Sequence, residues 1–313
     1  MQTEKNPQAP LIQLSSTSVA TPQCLILYVR STDSDRTLMS ALANLAGLYP
    51  PVGSQIWNPN LLWQPIPVHT VARCNEKLLA FPTRNCKRFY LLLKETMKSN
   101  NANSMMKSQM PFLAEIAGKM GYDVKTLLDF TNQKFWNAYD ALLVQKIHGK
   151  PLPDWATEHN MCRMNLILAY AVEALFGVHK REEKSRLQGG VLVKEILEKF
   201  TKVAESAEKT KLTLYSAHDM TLVALHVALG IFQRQLPPYA ACHFFELYKE
   251  CNGEYTVEMY FRNSTTSAPF QFTLPGCSAT CPLKKFKQLV SPIMPVNVEE
   301  EYLKALQKKA VFL

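Results

Sequence analysis

The chain has 313 residues, 47% of them apolar, with 35 basic against 26 acidic side chains and a net charge of +9. That size allows one large core or a core plus a smaller lobe, and the modest Gly and Pro content excludes a disordered or collagen-like chain. Basic residues are scattered, and short clusters such as Lys284-Lys285-Phe-Lys287 and Lys308-Lys309 read as solvated helix faces, so no nucleic-acid surface is expected. The longest apolar run, Thr221 to Phe232, contains His226 and is too short to cross a bilayer.

Residues 1–23 are polar and rich in Ser, Thr and Pro, which predicts a disordered leader; Met1-Gln-Thr-Glu-Lys-Asn-Pro7 lacks the apolar stretch of a secretory signal. Cys24 to Arg30 reads as a strand, and Ser31-Thr-Asp-Ser-Asp35 leads into a helix with apolar Leu38, Ala41, Leu42 and Leu45. Asp33 and Asp35 suit capping positions, and Arg36 a structural role. A Pro-rich loop follows, then a helical insertion lobe over 74–183 with repeated apolar spacing such as Leu166, Leu168, Val172 and Phe176. After Gly189-Gly190 comes an amphipathic helix (Val193, Ile196, Leu197, Phe200), then a strand over 211–216 and an apolar helix.

Alternating segments at 243–250 and 254–262 flank Asn252-Gly253, a strong hairpin signal. His226 and His243 lie on apolar-patterned elements and are expected in the core. A short charged helix closes the chain within 292–313. The fold class is α/β, with a mainly parallel central sheet flanked by helices, a C-terminal hairpin and the helical lobe; residues 24–73 and 184–291 make the α/β domain.

The chemistry concentrates at two strand-to-helix turns. Leu214-Tyr-Ser-Ala-His-Asp219 places a histidine beside a carboxylic acid where a helix end favours negative charge. Arg30 closes the other strand. Open α/β sheets bind ligands at the carboxyl ends of their strands, so Arg30, His218 and Asp219 are expected to face one cleft. An anionic ester suits that set: histidine and guanidinium hold charged oxygens, and the acid hands over a proton. The chain has no Gly-x-Ser-x-Gly elbow for a serine hydrolase, and its His-Asp pair follows a strand without further metal ligands.

Tyr28-Val-Arg-Ser-Thr-Asp-Ser-Asp-Arg-Thr-Leu-Met-Ser40, Trp63-Gln-Pro-Ile-Pro-Val-His-Thr70, Ser185-Arg-Leu-Gln-Gly-Gly-Val-Leu-Val193, Tyr215-Ser-Ala-His-Asp219 and Leu274-Pro-Gly-Cys-Ser-Ala-Thr-Cys-Pro282 resemble the histidine acid phosphatases. The resemblance runs from about Leu25 to about Pro295. It implies phosphomonoester hydrolysis at acid pH through a phosphohistidine, without a cofactor, with Arg30 and His218 binding phosphate and Asp219 as general acid. It implies a disulfide between Cys277 and Cys281, N-glycosylation at Asn263, a homodimer contact at Trp63 and His69, and a lysosomal or extracellular location. It leaves Cys86 and Cys242 without partners.

The family's Arg-His-Gly-x-Arg motif, which supplies the nucleophile, has no counterpart among the seven histidines. The catalytic strand carrying that motif is therefore expected to be missing. The 313 residues are expected to show little or no turnover, leaving a truncated enzyme or a phosphate-binding or dimerising pseudoenzyme as the readings.

Overall fold

Alternating side chains make Leu27–Ser31 the first strand, β1, of a computed structural model that describes residues 27–81, 86–128, 133–207 and 209–307. The leader, the start of the expected strand at 24–26 and Lys308-Lys309 lie outside those residues. In β1, Val29 and Ser31 are buried on one face, which leaves Tyr28 and Arg30 on the other. Helix α1 (Asp35–Leu48) follows, capped by Ser34 in extended conformation. Its Thr37, Ala41 and Leu45, four apart, form one buried row. Ser34 holds the cap position, and Asp35 is the first helical residue; neither Asp33 nor Asp35 caps the helix.

The middle of the chain is helical: α2 (Lys87–Met97), α3 (Asn100–Met120), α4 (Val124–Leu128), α5 (Lys134–Ile147) and α6 (Glu158–Phe176). Thr157 caps α6, its hydroxyl accepting the Asn160 amide. Two cores meet along α6. Met161, Met164, Ile167 and Leu168 pack with Phe112, Ile116 and Phe135, whereas Val172 and Phe176 join Phe89, Leu92 and the C-terminal half of the chain.

Helices α7 (Arg181–Leu187) and α8 (Gly189–Ala204) precede strand β2 (Leu212–Ser216) and helix α9 (Asp219–Leu229). Helix α9 is buried along almost its whole length and ends at Gly230, whose φ of 75° admits the left-handed turn. It packs against α6, α7 and α8. The α8–α9 contact depends on Gly189, where a Cβ would fall 2.1 Å from the Ala224 carbonyl oxygen. At Gly190 a Cβ would fall 1.8 Å from the carbonyl oxygen of Ile293.

Strands β3 (Cys242–Lys249) and β4 (Tyr255–Arg262) form the expected hairpin, with Gly253 at φ 85° in its loop. Short β5 (Phe270–Phe272) and β6 (Cys281–Pro282) pair with β4, and α10 (Leu283–Val290) and α11 (Val298–Gln307) complete the described chain. The chain is thus a mixed α/β protein, but its four main strands divide between two sheets. Strands β1 and β2 pair in parallel, Arg30 opposite Tyr215, while β3 to β6 form an antiparallel sheet. Alternation along a strand reports which face is buried and carries no information on which neighbour it joins, so a single sheet was the natural expectation.

Candidate active site

Parallel pairing brings the two strand-to-helix turns side by side. The Thr32 amide continues the ladder by donating to the Ser216 carbonyl at 3.1 Å, and the Ser216 hydroxyl donates to the Thr37 carbonyl at 2.7 Å. The N-termini of α1 and α9 therefore open onto the same end of the sheet. His218 holds the cap position of α9, and Asp219 is its first residue.

The contacts of His218 suit one tautomer. Arg36 Nη2, which can only donate, lies 3.5 Å from Nδ1, an arrangement that suits Nδ1 as the acceptor and Nε2 as the protonated nitrogen. Nε2 donates to Thr32 Oγ1 at 3.0 Å, Thr32 donates to Thr37 Oγ1 at 2.8 Å, and Thr37 donates to the Ser34 carbonyl at 2.8 Å. The chain of donors runs one way, from Arg36 into the first turn of α1. Burial, then the charge on Arg36, hold the imidazole pKa below its ordinary 6.5; Asp219 opposes this and Arg73 adds to it.

Arg30 is held differently. Its Nη2 donates to both carboxylate oxygens of buried Glu76, at 2.9 and 2.8 Å. Glu76 Oε1 also accepts the amides of Leu78 and Leu79. The Leu79 carbonyl accepts from Thr221 Oγ1, and that oxygen accepts the His218 amide at 3.2 Å. Arg30 and His218 do not bond one another; they are joined through Glu76, one loop and one hydroxyl. Arg30 Nε is buried with no acceptor among the described residues.

Asp219 is exposed, its Oδ1 accepting the Met220 amide at 2.7 Å. Glu76, Thr32, Thr221, Arg36 and Arg73 are neighbours of the site that sequence reasoning missed. Thr32 and Arg36 lie within the motif that drew attention to Arg30, a signal that was available. Glu76 and Thr221 carry no local mark of their roles. Arg36, assigned a structural role from sequence, has its guanidinium at the ring of His218.

The other expected residues lie elsewhere. Cys277 and Cys281 form a disulfide, and Cys86 and Cys242 are free cysteines. Asn263 is exposed just after β4. His69 pairs its backbone with β1, exchanging bonds with Val29 and Ser31, and its ring stacks on Tyr28 at 5.2 Å. Trp63 is exposed and its carbonyl accepts from Trp57 Nε1 at 2.8 Å. His226 and His243 are bonded to each other at 3.0 Å within a nest of phenylalanines. Among the described residues no three His, Cys, Asp or Glu side chains gather as a metal site.

Comparison with known proteins follows the same lines. Residues 20–263 match the histidine phosphatase superfamily (branch 2). Lysosomal acid phosphatase of Bos taurus is 48% identical over 275 residues, 88% of this chain and 64% of that protein. Prostatic acid phosphatase of Homo sapiens is 47% identical over 275 residues, 88% of this chain and 70% of that protein. A phytase from Citrobacter braakii superposes with a TM-score of 0.60 at 16% identity, covering 91% of this chain and 83% of the other, a likeness of fold. The chain belongs to branch 2 of the histidine phosphatase superfamily. It spans 64% of the length of the bovine lysosomal relative it matches.

Proposed function

We propose that this chain holds a phosphate monoester or free phosphate between Arg30 and His218, and that its 313 residues alone turn the ester over negligibly. The observation that carries the binding half is Arg30 Nε, a buried donor without an acceptor among the described residues. An unmet donor of this kind costs about 1–3 kcal/mol, and a phosphoryl oxygen would relieve it. His218 contributes from the adjoining turn. In the free site its Nδ1 accepts, so an anion is received best when the ring gains a proton, which ties binding to acid pH. Asp219, exposed at the first position of α9, is the group we assign to protonate a departing alcohol.

The negligible turnover rests on the missing Arg-His-Gly-x-Arg string. His218 points Nε2 into Thr32 and Nδ1 toward Arg36, so neither ring nitrogen is free to attack phosphorus in line. The test is calorimetric titration of the full chain with orthophosphate and vanadate, beside p-nitrophenyl phosphate turnover, with His218→Ala as control. Binding without turnover, weakened in the control, is the expected result. Robust turnover abolished by His218→Ala, with an acid-labile phosphohistidine, would overturn it.

A homodimer is the second reading, supported by exposed large apolar side chains on the segment that carries Trp63 and His69: Trp57 at 60%, Leu62 at 62% and Val52 at 63% exposure. Sedimentation of the full chain beside Trp63→Asp checks it; a monomer at high concentration would end this reading. By family we place the chain in the secretory pathway.

A further inference from the structure

The short loop over residues 76–79 is held from two sides. Glu76 takes Arg30 at the end of β1, and Leu79 offers its carbonyl to Thr221 of α9. Lys77, the residue after Glu76, reaches a different element. Its ammonium pairs with the Glu299 carboxylate in the first turn of α11 and lies 5.8 Å from the centre of the Tyr302 ring. Adjacent residues of opposite charge thus tie one loop both to β1 and to a helix whose Glu299 comes 222 positions later.

Helix α11 is itself anchored. Asn297 Oδ1 accepts the Glu299 amide at 3.0 Å at the start of the helix. Buried Glu301 accepts from Arg186 Nε of α7 at 3.3 Å, and the hydroxyl of buried Tyr302 donates to the Leu187 carbonyl at 3.1 Å. Lys194 of α8 donates to the carbonyls of Pro295 and Val296, at 3.1 and 3.0 Å, which fixes the stretch leading into the helix. A surface ion pair holds best where one partner is already fixed, since less conformational freedom is lost in forming it.

We propose that α11 is a clamp on the anion site, with Lys77 and Glu299 as positioning residues that hold loop 76–79 where Glu76 meets Arg30 and Leu79 meets Thr221. The proposal rests on the phosphate-binding reading above and extends it to a helix that supplies no anion ligand. The opposite charges of the pair separate positioning from simple attraction. Were Lys77 merely drawing phosphate toward the protein, neutralising Glu299 would strengthen binding. In a clamp, the loss of either member weakens it.

The test measures, on the full chain, orthophosphate affinity by calorimetry and hydrogen exchange of the Leu78 and Leu79 amides, which donate to Glu76. Lys77→Gln and Glu299→Gln should each weaken affinity about twofold to fivefold and speed those two amides by a similar factor. The double variant should be no weaker than either single one, because both remove the same contact. Leu225, buried within α9, should exchange as in the parent. Lys77→Arg keeps the charge and should keep both readings, and Lys146→Gln, which breaks the exposed pair with Glu158 in the helical lobe, should move neither. Tighter binding in Glu299→Gln, or affinity and exchange unchanged in both single variants, would overturn the clamp while the phosphate site stands. A parent chain that binds no orthophosphate would overturn both.

Discussion

Glu76 takes a single nitrogen of Arg30, Nη2, into both of its carboxylate oxygens while its side chain is 1% exposed. The contact spans 46 positions in sequence and fastens the loop that follows His69 to the end of β1. Removing one member of a buried ion pair leaves the other charge without compensation.

Glu76→Ala should therefore lower stability by about 3 kcal/mol, read from the denaturant midpoint at neutral pH. Glu76→Gln keeps an acceptor oxygen for the Leu78 and Leu79 amides and should cost less. Equal loss in both variants would show that the charge on Arg30 is indifferent to its partner.

Thr221 couples the two halves of the site, accepting from the His218 amide and donating to the Leu79 carbonyl. Thr221→Val preserves shape and strands both groups, at a cost of about 1–3 kcal/mol. Phosphate affinity should fall several-fold with it. An unchanged affinity in a destabilised Thr221→Val protein would mean that the loop and α9 set their positions separately.

The His226–His243 pair gives stability an acid limit. Burial pushes the His226 pKa down to about 4 and that of His243 well below 6.5, the second assisted by the first. The rings around them are Phe245, Phe261 and Phe272, which offer no countercharge. Both imidazoles stay neutral in the fold, whereas the unfolded chain binds protons below about pH 6.5. The stability they protect is present above that pH and is lost as pH falls toward 4. For His226 alone the loss reaches about 3 kcal/mol by pH 4. Urea midpoints at pH 7 and 4.5 should differ less in His226→Gln than in the parent; an identical slope would exclude the pair as its source.

Phosphate binding should move in the opposite sense. The His218 pKa lies below 6.5, and an anion favours the protonated ring, so affinity should rise as pH falls through that region. In His218→Asn, which titrates no proton there, the pH profile should flatten. A parent profile flat between pH 7 and 5 would separate His218 from the anion.

What the sequence disclosed was local. The Asn252-Gly253 hairpin, the two strand-to-helix turns and the core placement of His226 each rest on patterns a few residues long. Long-range pairings left no such trace: Thr32 lies 186 positions from His218, and a glutamate in a loop looks the same whether or not it grips an arginine. Arg36 falls between these cases. It sits one helical turn past Thr32, so the side-chain direction of α1 could have placed it near the site. The division into two sheets was hidden for the same reason as Glu76, because strand partners are chosen at a distance.

Gly189 and Gly190 carry a mechanical implication. Where backbone meets backbone there is no side chain to rotate or compress, so any residue larger than glycine at either position would force the neighbouring backbone to move. One neighbour is Ala224, on the helix that begins beside His218; the other is Ile293, far along the chain after α10. The seating of α9, whose cap position His218 holds, thus depends on a glycine that lies on a different helix.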